Sequence, residues 1–448
     1  MRFLLFFIFL MHFFNGFAQD FSGSWKGNLA IDKDTLALII HVRQENSQWM
    51  ASMDIPSQNG FKLPTKVSIA NKEIEIETVA EIRIKGNMVA ANEINAVFSQ
   101  SGFTTDIKFN RVLDTNELAK SYSLKRPQEP QGPFPYDSKD FIVENDLVKL
   151  SGTITSPKGE GKYPAVIMLS GSGTQDRDGT LFGHKPFKVL ADYLTRQGIV
   201  VMRFDDVGIG GSTGRKDYIE TTLTQAKNVK LLLNRLKSEP KADLNKVGLI
   251  GHSEGSLISL IEGARNGDIK FIVSLAGPGL SGKEILVKQS TDELKSLPPE
   301  KQKMYSSLLD IMDKAEDDDV TRDNMEKIVD NYQGNTPLNA ADTTYFIRIS
   351  NPWMLCFARL NPAVYMQQIK VPVLVLNGGK DIQVQADENV NVFKRSLPKN
   401  SKSHTKIYPE LNHLFQTAKT GSVMEYQQLE ETFNEEVMRD IISWIGKL

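Results

Sequence analysis

Gly251-His252-Ser253-Glu254-Gly255 follows the apolar run Lys246-Val247-Gly248-Leu249-Ile250 and reads as strand, sharp turn and helix, with a serine at the apex. This is the G-x-S-x-G nucleophile elbow. The flanking glycines lack Cβ atoms, so a strained turn can pass close to neighbouring backbone. The turn would lift Ser253 Oγ above the end of a sheet, and the helix beginning Ser256-Leu257-Ile258 would aim its N-terminal dipole at a developing negative charge. A serine hydroxyl is a weak nucleophile until a base takes its proton, and the base must be oriented by a third group.

The six histidines make the search for that base short. In a doubly wound sheet bearing such an elbow, the acid and then the histidine follow the serine. Beyond Ser253 lie only His404 and His413. His404 opens the expected strand Thr405-Lys406-Ile407-Tyr408, which gives it a structural or surface role. His413, within Leu411-Asn412-His413-Leu414-Phe415, lies in the loop after that strand and can reach back over the elbow. Asp381 follows the apolar strand Val371 to Leu376, at the carboxyl end where open α/β sheets gather their ligand sites. Its expected role is to accept the imidazole Nδ1–H and stabilise the imidazolium. Glu254 is a poor substitute as the acid, but its backbone N–H follows the nucleophile and is an expected oxyanion donor. The second donor is expected from Leu169-Ser170-Gly171-Ser172-Gly173-Thr174, at Ser172 N–H with Gly171 as the alternative. As a phosphate cradle this stretch lacks the lysine and glycine spacing of a P-loop.

Alternating strands and helices must position these groups. Leu147 to Thr155, Pro164 to Leu169, Ile199 to Phe204, Val247 to Ile250, Phe271 to Leu275, Val371 to Leu376 and His404 to Tyr408 have strand character. Helices are expected over Phe187 to Gln197, Leu223 to Leu236, Ala386 to Ser396 and Leu429 to Ile445. Strands spaced by helices imply a mostly parallel, doubly wound sheet covered on both faces. The stretch 278–365 is too long for a structureless loop and carries helical patterns over Gly282 to Leu297, Lys301 to Lys314 and Thr321 to Tyr332. It reads as a helical cap inserted over the site. Its acidic run Glu316-Asp317-Asp318-Asp319 reads as a solvated helix end, since no EF-hand spacing follows.

Upstream, residues 19–112 alternate in short runs, among them Leu36 to Val42, Trp49 to Met53, Ile74 to Glu77, Glu81 to Ile84 and Asp106 to Phe109. A small all-β domain, sandwich or partly closed barrel, is expected there, with Trp25 plugging its core. Residues 113–136 hold four prolines between Pro127 and Pro135 and read as an extended linker before a catalytic domain at 137–448.

With 448 residues, 40% hydrophobic and 24% charged, the chain has the composition of a globular protein of more than one domain. A formal net charge of −2 offers no basic stripe for nucleic acid. Met1-Arg2, the apolar run Phe3 to Phe14 and Gly16-Phe17-Ala18 read as a signal peptide over 1–18, cleaved after Ala18, with export to the periplasm or the exterior and no stable membrane anchor thereafter. The single cysteine, Cys356, excludes an intrachain disulfide and reads as a small buried hydrophobe.

Taken with Gly183-His184-Lys185-Pro186-Phe187 and Arg203-Phe204-Asp205-Asp206-Val207-Gly208-Ile209-Gly210-Gly211-Ser212, these motifs resemble the α/β-hydrolase superfamily over Tyr136 to Leu448. Within it the chain looks like exported bacterial carboxylesterases, which are also grouped with serine aminopeptidases and prolyl-oligopeptidase-like enzymes. The resemblance implies an ester, or alternatively a short peptide, as substrate and implies no metal or organic cofactor. Val207 departs from the D-x-R-G-x-G pattern of such relatives, which puts a structural ion pair in doubt. His184 and Asp205 match family positions and are expected to shape loops.

Overall fold

The computed structural model describes residues 20–448 apart from 32–33, 46–47, 56–59, 71, 79–81, 101–102, 114–125, 296 and 334–339. The expected signal peptide lies outside the described residues. The chain divides into two units, 1–123 and 124–448.

The first unit is a closed, antiparallel barrel of eight strands: β1 Gly23–Ile31, β2 Asp34–Glu45, β3 Gln48–Ile55, β4 Gly60–Ala70, β5 Glu73–Thr78, β6 Arg83–Ala90, β7 Glu93–Gln100 and β8 Phe103–Arg111. It is neither a sandwich nor only partly closed, because β1 pairs with β8 (Trp25 opposite Arg111, Gly27 opposite Phe109). Period-two alternation sends Ile74 and Ile76 of β5, and Ile84 of β6, inward while Glu75 and Lys85 face out. Trp25 is fully buried in the interior; its indole N–H donates to the Phe21 carbonyl at 2.8 Å, and the Arg111 guanidinium lies 4.2 Å over its ring.

The second unit carries a nine-stranded sheet: β9 Tyr136–Glu144, β10 Val148–Pro157, β11 Tyr163–Leu169, β12 Val200–Phe204, β13 Thr213–Gly214, β14 Ala242–His252, β15 Phe271–Leu275, β16 Val373–Gly378 and β17 His404–Tyr408. Its order is β13-β10-β12-β11-β14-β15-β16-β17, with β9 paired to β10. The pairs from β12 and β11 through to β17 are parallel, whereas β9, β10 and β13 pair antiparallel. Both faces are buried, as parallel crossovers require. In β11, Ala165, Ile167 and Leu169 face one core, shared with helices Thr222–Lys237, Glu254–Arg265 and Ala386–Ser396. Val166 and Met168 face the other, shared with helices Pro186–Arg196 and Glu435–Ile445.

Three expectations shift. The proline-rich segment is not a free spacer over its described part. Arg126 donates to the carbonyls of Phe182, Gly183, Gln427 and Leu429, Gln128 bonds both the N–H and C=O of Phe433, and Glu129 pairs with Lys185 and Lys188. Strand β9 starts at its end, at Tyr136, ahead of the first expected strand. The last helix begins at Glu435, not Leu429, because the Asn434 side chain caps it by accepting from Glu436 N–H, while a 3-10 turn occupies Val423–Gln428.

Between β15 and β16 the cap comprises helices Gly282–Lys295, Pro299–Ile311, Asp318–Gln333, Ala340–Ile349, Pro352–Arg359 and Pro362–Met366. It has its own core, including Met304, Leu308, Met325 and Leu355, with the Tyr305 and Tyr345 rings stacked at 3.7 Å. The acidic run caps a helix: Asp317 Oδ1 accepts from the N–H groups of Asp319 and Val320.

Candidate active site

Strand β14 ends at His252, and helix Glu254–Arg265 starts two residues on, leaving Ser253 alone at the turn. Its backbone is left-handed, φ 54° and ψ −120°, a conformation that costs a non-glycine residue about 1–3 kcal/mol. The surroundings enforce it. Ser253 N–H donates to Leu275 O at 2.8 Å, and a Cβ on Gly251 would stand 2.1 Å from Gly255 O. A Cβ on Gly255 would stand 2.1 Å from Leu169 O, so helix and β11 can approach this closely only without side chains.

Asp381 and His413 follow β16 and β17 in neighbouring loops. His413 Nδ1 lies 2.7 Å from Asp381 Oδ2, and both side chains are buried. The other carboxylate oxygen is held by the N–H groups of Gln383 (2.9 Å) and Val384 (2.8 Å). A carboxylate only accepts, so the pairing assigns the proton to Nδ1 and leaves Nε2 as the free lone pair. The histidine loop is built by Asn412, whose Oδ1 accepts from the N–H groups of Leu414 and Gln416. His404 is exposed on β17, away from this constellation.

Gly171, Ser172, Ser253, Glu254 and His413 line one pocket of about 180 Å³, closed by Ile285, Leu286, Trp353, Met354 and Phe357 from the cap. A Cβ on Gly171 would come 3.2 Å from Ser253 Cβ, so the glycine-rich loop lies directly against the serine. Two consecutive aspartates hold that loop. Asp206, buried, accepts from Ser170 Oγ and from Gln175 N–H at 2.8 Å; burial pushes its carboxyl up to about 7. Asp205 takes a bidentate grip from Arg177, Nε at 3.0 Å and the terminal nitrogen at 2.7 Å, together with the N–H groups of Arg177 and Gly211. Despite its burial, these partners keep the Asp205 carboxyl below its ordinary range. Arg177 thus supplies from the loop the ion pair that Val207 put in doubt.

One histidine at the site, His252, had no assigned role from the sequence. His252 donates Nε2–H to His413 O at 2.9 Å, and its ring lies 4.7 Å from the His413 ring. Burial first, and the neighbouring imidazole second, hold it down at about 3, so it stays neutral. His184 is also neutral, pulled to about 4 by burial. Its Nε2 faces Tyr426 O and its Nδ1 faces Thr432 Oγ1, each at 2.8 Å, tying the loop before helix Pro186–Arg196 to the C-terminal segment. The histidine preceding an elbow serine was legible as a residue, but its partner lies 161 positions away. Among the described residues, no group of three or more His, Cys, Asp or Glu is arranged to hold a metal ion, and no helix is long and apolar enough to cross a membrane.

A parallel sheet with an elbow serine, a capping insertion and loops gathered at its carboxyl end is the α/β-hydrolase architecture. Residues 185–417, about half the chain, match the family described as serine aminopeptidase, S33 (Hydrolase_4), and the protein belongs to that family of hydrolases. It is 25% identical over 444 residues to esterase EstD of Thermotoga maritima, covering 93% of this chain and 96% of that one. Among solved structures it is similar to the Pyrococcus furiosus esterase Pf2001 (18% identity, 72% of this chain and 98% of that one, TM-score 0.44). It is also similar to the α/β-hydrolase GrgF of Penicillium sp. sh18 (16% identity, 70% and 99%, TM-score 0.45).

Proposed function

We propose that the protein is a carboxylesterase that works through an acyl-enzyme. Ser253 attacks the ester carbonyl while His413 Nε2 accepts its proton, and Asp381 stabilises the imidazolium. The N–H groups of Glu254 and Ser172 (or Gly171) receive the oxyanion, and each such donor contributes about 3–4 kcal/mol to the transition state. His413 then protonates the leaving alcohol and activates water for deacylation. The observation that carries the reading is that His413, hydrogen-bonded to Asp381, lines one pocket with a strained elbow serine. The relationship to an enzyme named as an esterase supports it.

Ester is favoured over peptide by the lining. Of the described residues around the pocket, Glu254 is the only one with a carboxyl, and one of its oxygens already accepts from Thr222 and Trp353, leaving no exposed carboxylate for a peptide amine. The small volume suits a short acyl chain. Export after cleavage at Ala18 is part of the proposal, and the mature N-terminus, expected at Gln19, is read by N-terminal sequencing of protein from the culture or periplasm.

The test compares wild type and Ser253→Ala on aryl acetate, aryl hexanoate and aminoacyl anilides. Acetate turnover lost in the variant is expected. Anilides cleaved in preference to esters, or turnover retained by the variant, refutes the assignment.

A further inference from the structure

Glu254 follows the nucleophile, yet its side chain does not point to solvent: the residue is 1% exposed. Its Oε1 accepts from Thr222 Oγ at 2.6 Å and from the indole N–H of Trp353 at 2.8 Å. Thr222 opens helix Thr222–Lys237, and Trp353 stands on cap helix Pro352–Arg359. The Ser172 side chain lies beside the same carboxyl. The other oxygen, Oε2, is enclosed and makes no hydrogen bond. One carboxyl therefore touches the cap, a core helix and the loop carrying the second oxyanion donor, and it is attached to the residue carrying the first.

We propose that the Glu254 side chain is a positioning residue: its uncharged carboxyl anchors Trp353 of the cap, and with it the acyl pocket, while keeping negative charge away from the oxyanion donors. This rests on the esterase reading above. An ionised carboxylate here would oppose the negative charge that develops on the substrate oxygen, in a site where water screens little. It would also leave an enclosed Oε2 charged while Thr222 and Trp353 are both committed to Oε1, an arrangement that proteins avoid.

Burial favours the neutral form, and other acidic groups are enclosed nearby. Asp206 comes from the loop after β12 and Glu220 from the approach to helix Thr222–Lys237; burial raises their carboxyls to about 7 and about 8. Cys356, on the cap helix with Trp353, is likewise raised by burial. Burial pushes Glu254 itself upward, against hydrogen bonds from Thr222, Trp353 and Ser172 that favour its ionised form.

The experiment is a pH–rate profile for aryl acetate with full-length protein, comparing wild type, Glu254→Gln, Glu254→Ala, Trp353→Phe and Ser253→Ala. Wild-type kcat/KM is expected to fall as pH rises through the Glu254 ionisation. Glu254→Gln keeps an acceptor for Trp353 and cannot ionise; it should lose a few-fold at neutral pH and show no such fall. Trp353→Phe removes a donor that favours the carboxylate, so the fall should move to higher pH. Glu254→Ala should lose about tenfold or more in kcat. Should that variant misfold, the other two still decide. A fall missing in wild type, unchanged in Glu254→Gln, or unmoved in Trp353→Phe overturns the proposal. Turnover surviving in Ser253→Ala overturns the esterase reading instead, whereas an inactive Ser253→Ala beside Glu254 variants that track wild type overturns only this inference.

Discussion

Arg177→Met is the most informative single perturbation. The guanidinium makes two bonds to Asp205 and further ones to Ser151, Thr153 and Asp140, with 22% of the side chain exposed against 4% for Asp205. Methionine keeps much of the bulk but removes all of these donors. Asp205 would retain only the N–H groups of residue 177 and Gly211. Breaking a buried pair by deleting one partner costs about 3–5 kcal/mol. The two remaining amides place the expectation near the low end, about 3 kcal/mol. At about 2 cal/mol/K per residue, the unit spanning 124–448 should lose about 4 °C in Tm. The pH dependence gives the sharper check. Because the folded Asp205 carboxyl is depressed, the pair's stabilisation is fully present above the unfolded value near 4 and is lost as pH falls through the lower folded value. Differential scanning calorimetry should therefore show the wild-type-to-variant gap at pH 7 closing as pH drops below about 4. The loop carrying Ser172 should also loosen, lowering esterase kcat/KM about tenfold. A gap independent of pH, or a Tm change under about 1 °C at pH 7, refutes the reasoning.

Asp381→Asn should hold the loop geometry while presenting the wrong hydrogen-bond partner to His413; stopped assays should show kcat down about 10⁴-fold with KM little changed. Leu286→Ala, at the cap side of the pocket, should raise the hexanoate-to-acetate ratio of kcat/KM about tenfold, as expected for space worth a methylene or two. His184 is held neutral with its folded value at about 4, so its contribution is intact above the unfolded value near 6.5 and fades between there and pH 4. Chemical denaturation across that range should show stability falling by up to about 3 kcal/mol from this residue, and a shallower slope in His184→Asn.

Much of the fold was readable because parallel strands buried on both faces are continuous apolar runs: Phe271–Leu275 has the bounds expected from sequence. Positional logic at strand ends sufficed to set Asp381 beside His413, since topology brings those ends together whatever the intervening length. The barrel was read less completely. Strand β1 mixes Gly, Lys and Asn with its apolar residues, so closure through its pairing with β8 carries no local signal. Cap helices Ala340–Ile349 and Pro352–Arg359 carry little local signal because their apolar faces pack on one another and on a core assembled from distant helices. The same holds at the site. Nothing local in Gln175-Asp176-Arg177 says that Arg177 answers Asp205, and nothing in Asn351-Pro352-Trp353 says that an indole will reach the residue beside the nucleophile.

The stretch around Arg126 has a practical corollary. Its guanidinium satisfies carbonyls at 182–183 and again at 427 and 429, so it clasps the start of the hydrolase unit to a point near its end. Excising the enzyme at the first strand, Tyr136, would strip donors from four main-chain oxygens and leave the 427–433 region unbuttoned. A self-sufficient fragment has to open upstream of Arg126, with the prolines retained as the pin of the clasp.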